Sequence, residues 1–376
     1  MKLIALKDVC KINMGQSPNS SSYNDYGDGM PFFQGNADFG ERYPITRVWC
    51  NTPTKIAQAE DILISVRAPI GALNYAKEEC CIGRGLAAIT PDRNKVSQDF
   101  IYWALKGKKA ELNDKGNGST FKAISRKILE ETMIPDINFE QQHKCAENLE
   151  KIYGIIQNRR KELLALDDLI KARFVEMFGD PVVNDKRWST MPLEEACKII
   201  VDCPHSTPSY TTEDTGYMCI RTSIVKKNKI IWDEIEFIPK DEFEKRIKRK
   251  KPEVGDVVYT REGAILGIAA VIDKECNVAL GQRAMLLSPD ENMITSEFLC
   301  IAMNCDSFLI NALKGVAGSA SPHINVGDIK AFKMIMPPLE LQNKFSDFIR
   351  QVDKSKLMFQ KLHQKLNILQ KKAGDI

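Results

Sequence analysis

The chain says one thing twice, in the same order. Ile4-Ala-Leu-Lys-Asp-Val-Cys-Lys11 is answered by Met191-Pro-Leu-Glu-Glu-Ala-Cys-Lys198. Ile82-Gly-Arg-Gly-Leu-Ala-Ala-Ile89 is answered by Leu280-Gly-Gln-Arg-Ala-Met-Leu-Leu287. Gly116-Asn-Gly-Ser-Thr-Phe-Lys-Ala-Ile-Ser125 is answered by Gly315-Val-Ala-Gly-Ser-Ala-Ser-Pro-His-Ile-Asn325. Ile134-Pro135 with Glu140-Gln-Gln142 is answered by Met336-Pro-Pro338 with Glu340-Leu-Gln342. A repeat of this length is a duplicated domain rather than a solenoid unit. Two copies of one reader imply a ligand with two similar parts.

Within each copy, short apolar runs are broken by Gly, Pro, Asn and Ser. Asp61-Ile-Leu-Ile-Ser-Val66, Ala87-Ala-Ile-Thr90 and Asp256-Val-Val-Tyr-Thr260 read as strands. Phe100–Leu105 and Phe298–Met303 read as short helices, and Tyr23–Gly29 as a loop. After each globule, alternating steps of four and three mark Cys145, Leu149, Ile152, Ile156, Arg159, Leu163, Leu166, Ile170, Arg173 and Met177. The same steps mark Leu341, Phe345, Phe348, Val352, Ser355, Phe359, Leu362, Leu366, Leu369 and Ala373. This is coiled-coil spacing. Either stripe alone would also fit packing on its own globule; two matched stripes favour packing on each other. Arg159, Arg173 and Ser355 are polar at seam positions, where they would set register or lie at a seam end.

The predicted architecture is α+β: two similar mixed globules, 1–138 and 187–337, joined by two long helices, 139–179 and 338–373. The connection after the first helix is short, so that helix must bridge the globules. At about 1.5 Å per residue its roughly 38 residues span about 57 Å. The second helix should run back, giving an antiparallel coiled coil and a pseudo-two-fold internal repeat.

Composition excludes more than it selects. A hydrophobic content of 43% is that of a globular protein. No stretch is long and apolar enough to cross a membrane. Met1-Lys-Leu-Ile-Ala-Leu-Lys-Asp8 lacks a signal peptide's apolar core, so a cytoplasmic protein is expected. Eleven cysteines without a Cys-x-x-Cys framework fit reduced, buried thiols. A net charge of +3 does not by itself establish nucleic-acid binding. The densest basic cluster, Lys245-Arg-Ile-Lys-Arg-Lys-Lys251, reads either as a solvated helix end or as a phosphate-contacting edge.

No catalytic motif stands out. There is no Walker A loop, no His-Glu-x-x-His, no Gly-x-Gly-x-x-Gly after a strand, and no amino-methyltransferase motif. Cys203-Pro-His205 with Cys197 is a weak zinc candidate. Ser321 and His323 lack an orienting third group. The expectation is a non-catalytic chain with no metal and no cofactor of its own. What remains is binding. Gln34 and Asn36, with Arg221 and Thr222 at the aligned place, carry side chains suited to adenine and guanine edges. Arg67 and Arg261 follow the aligned strands, and Arg84 and Arg283 sit in the aligned Gly-rich turns; each is either a DNA contact or the partner of an internal carboxylate. Ser119, Thr120 and Lys122, with Ser319 and Ser321, lie in turns suited to phosphate. Ser125 reads as a helix N-cap.

This order of parts resembles the specificity subunit of type I restriction–modification systems: variable globule, Gly118-Ser-Thr-x-x-x-Ile-Ser125 turn, Ile-Pro with Glu-Gln-Gln, heptad helix, twice over. Leu166-Asp-Asp-Leu-Ile-Lys-Ala-Arg-Phe-Val-Glu-Met-Phe-Gly-Asp-Pro181 is similar to the family's segment ending the first helix, and Pro337-Pro-Leu-Glu-Leu-Gln342 to the start of its second. The second copy departs from the pattern with Gly318-Ser-Ala-Ser-Pro-His-Ile-Asn325, and the first has a single Pro135. The resemblance implies that each globule reads half of a bipartite double-stranded DNA target. The helices would fix the spacer and dock two adenine-methyltransferase subunits, which bring S-adenosylmethionine. Restriction or motor subunits would join them. A methylation-only defence complex, and a duplicated protein-binding scaffold, are the competing readings.

Overall fold

A computed structural model describes residues 2–117, 122–314 and 322–374, with side chains described as far as 357. The chain divides into two compact units, Met1–Lys161 with Gln360–Ile376, and Glu162–Phe359.

The first unit contains strands β1 (Cys10–Met14), β2 (Met30–Phe33), β3 (Ile62–Ser65), β4 (Leu73–Tyr75), β5 (Cys80–Ile82) and β6 (Leu86–Pro91). Helix α1 (Gln98–Gly107) follows, and the long helix α2 (Phe139–Phe178) begins in this unit. An antiparallel sheet runs β1-β6-β3-β4, while β2 and β5 pair in parallel within a second sheet.

The second unit repeats the plan. Its strands are β7 (Cys197–Asp202), β8 (Met218–Ile220), β9 (Val257–Thr260), β10 (Ala269–Val271), β11 (Val278–Leu280) and β12 (Ala284–Pro289). Helices α3 (Ser296–Asn304) and α4 (Leu339–Gly374) follow. The antiparallel order is β7-β12-β9-β10, and β8 and β11 are the parallel pair. The expected segments 87–90, 100–105 and 298–303 fall inside β6, α1 and α3, while the expected strands 61–66 and 256–260 contain β3 and β9 and overrun them by a residue at one end or both. Tyr23–Gly29, expected as a loop, holds a two-residue strand, Tyr23–Asn24.

Side-chain alternation explains why the central strands read as unbroken apolar runs. Ile62, Ile64, Ala87 and Ile89 face a core shared with α1 and α2; Leu63, Leu86 and Ala88 face a second core under the β2–β5 sheet. In the second unit Val257 and Tyr259 face one core and Val258 the other. A sheet buried on both faces has no polar side to alternate with.

The repeated Glu-x-Gln is a clamp. Buried Gln142 accepts a hydrogen bond from the Ser97 amide (2.7 Å) and donates to the Ile137 carbonyl (2.8 Å). Gln342 accepts from the Thr295 amide (3.0 Å) and donates to the Pro337 carbonyl (2.9 Å). One amide side chain thus ties the N-cap of α1 or α3 to the start of the long helix, leaving neither buried group unpaired.

The heptad stripes need one correction. The deepest contacts near the end of α2 are Ile170, Phe174 and Phe178, not Arg173 and Met177. Arg173 instead forms a surface pair with Glu176 (2.7 Å). A straight helix has 3.6 residues per turn, so a 3.5-residue stripe drifts off the buried line by its end. Within the second unit Phe174 and Phe178 meet Phe345 edge-on, with ring centroids 5.6 and 5.3 Å apart, and Asp167 pairs with Lys356 at 2.7 Å. Rising numbers on α2 meet falling numbers on α4, so the two helices are antiparallel there. The Ser355 hydroxyl donates to the carbonyl of Gln351 one turn back. The side chains of Phe359, Leu362, Leu366, Leu369 and Ala373 lie outside the described residues.

Candidate nucleic-acid interface

Backbone hydrogen bonds gather the loops of each unit into one rim. In the first unit the Gln16 amide donates to Ile82, Gly83 to Phe33, Gly85 to Gln34, Val66 to Gly85, Ile124 to Val66, and Ala68 to Lys122. The ends of β1, β2, β3 and β5 and the 122–124 segment therefore meet. In the second unit Gly281 donates to Ile220, Arg261 to Arg283, Ile324 to Arg261, and Gly263 to Pro322. Close approach makes Gly15 and Gly85 obligatory: an added Cβ would lie 2.1 Å from the Gly83 oxygen and 2.4 Å from the Gln34 oxygen, respectively.

The rim brings together Gln34, Asn36, Arg67, Arg84 and Lys122. Gln34, Arg67, Arg84 and Lys122 are exposed, and none makes a side-chain ion pair among the described residues. Asn36 opens a short 3-10 turn (Asn36–Asp38), and Asp38 accepts from the Gln34 amide at 2.8 Å. Ser125 caps Arg126–Glu130 through the Ile128 amide. Ser119, Thr120, Ser319 and Ser321 lie outside the described residues.

The second rim holds Arg221, Thr222, Arg261 and Arg283, with Gln282 beside Arg283 in the chain and accepting a hydrogen bond from the Thr207 hydroxyl (3.3 Å). Arg221 is held by Glu236 (2.6 Å) and lies over the Tyr210 ring, 5.1 Å from its centroid. Its hydrogen bond to the Glu236 carboxylate raises its pKa above the usual value. Thr222 starts a 3-10 turn, Thr222–Ile224. Arg283 is exposed, at φ +72°.

Register separates residues that looked equivalent. The pairings Leu86↔Ser65 and Ala284↔Thr260 make Arg261 the counterpart of Val66, and Arg67 the counterpart of Glu262. They also set Arg84 against Gln282, and Arg283 against Gly85. Neighbours along extended backbone point to opposite faces, so a shift of one residue exchanges inside for outside. Arg261 is accordingly buried, bonded to Asp202 (2.9 Å) and Glu262 (2.7 Å), while Arg67 is exposed. For Arg261 the geometry favours the internal-carboxylate reading. The pairings Met14↔Ala87 and Asp202↔Met285 place Met14 where Asp202 stands. The first unit thus fills with Val66 and Met14 the place that an ion pair fills in the second.

Sequence reasoning missed Asp202, Glu236, Tyr210 and Gln282; strand-by-strand alignment of the copies would have marked Asp202 and Gln282. The basic cluster is a helix end whose charges are largely engaged. Buried Arg246 pairs with Glu242 (2.7 Å), Lys245 with Asp241 (2.9 Å) and Lys250 with Glu253 (2.5 Å). Lys248 and Arg249 remain exposed. At the zinc candidate, burial pushes the Cys197 thiol up to about 12 and raises that of Cys203, and His205 pairs with Asp202 at 3.1 Å. Among the described residues there is no cluster able to hold a metal ion, and no helix is long and apolar enough to cross a membrane.

The family model for the type I restriction modification DNA specificity domain matches residues 1–165 and 185–369. A putative type I restriction enzyme MjaX specificity subunit of Methanocaldococcus jannaschii is 47% identical over 152 residues, which is 40% of this chain and 36% of that one. The chain therefore spans only about a third of that relative's length. The type I restriction enzyme EcoBI specificity subunit of Escherichia coli is 22% identical over 93% of this chain and 78% of its own. The crystal structure of a type I restriction-modification S subunit from M. genitalium shares the fold, with a TM-score of 0.58 at 14% identity, covering 99% of this chain and 94% of that one.

Proposed function

The chain belongs to the DNA specificity family of type I restriction–modification systems, a non-catalytic family, and from that premise we propose that each unit reads one half of a bipartite double-stranded target. One observation carries the reading. The two rims share a backbone but not a chemistry: Gln34 stands against Arg221, Arg84 against Gln282, Arg67 against Glu262. A common scaffold with exchanged polar side chains is what reading two different sequences requires. In this reading Gln34 and Arg221 contact base edges, with Asn36 and Thr222 beside them. Arg84, Lys122 and Arg283 serve the phosphates, and Arg67 reaches either. Arg261 holds the second rim in shape. Ser119, Thr120, Ser319 and Ser321 are proposed phosphate contacts.

The domains in this reading are 1–138 and 187–337, with helices 139–179 and 338–373 completing an antiparallel coiled coil that sets the spacer. Two adenine-methyltransferase subunits dock on the helices and bring S-adenosylmethionine, and restriction or motor subunits complete the assembly. The test is salt dependence. Arg84→Ala with Arg283→Ala should weaken DNA binding by the subunit complex. It should also flatten the log–log dependence of affinity on salt by about two counterions. An unchanged slope would remove both arginines from the interface.

A further inference from the structure

In the first unit two cations share an aromatic box without enough anions. The Arg42 guanidinium lies 4.8 Å from the Tyr102 ring centroid, 5.4 Å from Trp103 and 5.2 Å from Tyr153. The Lys106 ammonium, on α1, lies 3.9 Å from the Tyr153 centroid and 4.6 Å from Trp103. Glu150, on α2, pairs with Nη2 of Arg42. Nη1 of Arg42 is buried with no hydrogen-bond acceptor. The half-buried Lys106 ammonium makes no ion pair or hydrogen bond among the described residues. Burial first, then the positive charge of Arg42, Arg160 and Lys109, lowers its pKa to about 8.

Buried donors without acceptors cost free energy and are uncommon in native proteins. At the corresponding place the second unit carries no cation. The shared clamps Gln142 and Gln342 set Lys106 against Asn304 and Tyr153 against Asp353. Asn304 is bonded on both sides: its oxygen accepts from the Ala269 amide (2.9 Å), and its amide donates to the Ala269 carbonyl (2.7 Å). The missing acceptor belongs to the first unit.

We propose that the Arg42–Lys106 box takes a carboxylate side chain from the modification subunit, an inference that rests on the assembly proposed above. The anion meets Nζ of the half-buried Lys106, while the enclosed Nη1 of Arg42 keeps the box positive. Tryptophan, tyrosine and arginine packed around a half-buried cation are the composition of protein-interface hot spots. Phosphate contacts along a DNA backbone instead suit exposed, hydrated cations such as those of the rim. The other charges near the box are Glu41, Asp99, Lys109 and Arg160; Asp99 is engaged by the Tyr75 hydroxyl (2.9 Å), and the box stays cationic.

Binding a carboxylate favours the ammonium form, so docking takes up a proton near and above pH 8, and affinity falls as pH rises through that value. The test is calorimetry of the full chain with its modification subunit at pH 8.5, in two buffers of different ionisation heat. The wild-type chain should take up a fraction of a proton. Lys106→Met should bind at least about 30-fold more weakly with no uptake. Lys106→Arg should keep most of the affinity and lose the uptake, which guards against a folding defect in the methionine variant. If the wild-type chain does not bind the modification subunit, the proposed assembly fails and this inference with it. If it binds and Lys106→Met binds equally well, only this inference fails. Loss of DNA affinity by Lys106→Met with unchanged subunit binding would assign the box to phosphate and overturn the proposal.

Discussion

Asp202→Ala should destabilise the second unit by about 3 kcal/mol, because it leaves the Arg261 guanidinium buried beside Glu262 alone. The loss lies at the low end of the range for a broken buried pair, since one carboxylate remains. The double change Arg261→Val with Asp202→Met installs the apolar pair that the first unit already carries as Val66 and Met14. It should recover most of the loss, as apolar replacements of buried ion pairs often do. Two units in one chain need not unfold together, so hydrogen exchange of the Val257–Thr260 amides is the appropriate measure. A single variant as protected as the wild type would show that the pair carries no stability. A double variant as unprotected as the single would show that the apolar pair does not fit. The same double variant should keep second-half recognition if Arg261 is structural, and lose it if Arg261 reads bases.

Lengthening the proposed spacer should move the half-sites apart. One heptad inserted after Leu163 and another after Leu362 adds roughly 10 Å by helical rise. Both helices must grow, because a single insertion would put the seam out of step. Ten ångströms is about three base pairs at about 3.4 Å each. Tilt of the helices reduces that number, and the added rotation keeps it from being fixed as an integer. The expected methylated motif has both half-sites intact and a longer unread spacer. An active double-insertion variant with the original spacer would show that the helices do not set the distance.

The repeat made the layout legible because duplicated motifs mark structural duties. The Gln of each Glu-x-Gln is the clamp between the short helix and the long one, and the Gly-rich turns are where loops meet closely. Ile62-Leu-Ile-Ser65 was readable as a strand because both of its faces are buried. Finer matters turned on single-residue register. Arg67 and Arg261 both follow a strand, but one position apart, and an extended chain converts that step into outside against inside. Arg173 and Met177 fit the heptad count, yet Phe174 and Phe178 fill the core, because seven-residue arithmetic and helical pitch diverge over forty residues. The Arg42–Lys106 box was invisible because its residues come from three distant segments and follow no period.

The central claim is that each unit reads its own half of the target. Its most direct test is sequencing of methylated adenines in a host carrying the chain with its modification subunit. The wild-type chain is compared with a chimera whose residues 1–138 come from another member of the family. The account predicts one altered half-site, with the other half-site and the spacer unchanged. Alteration of both halves, or of neither, would contradict it.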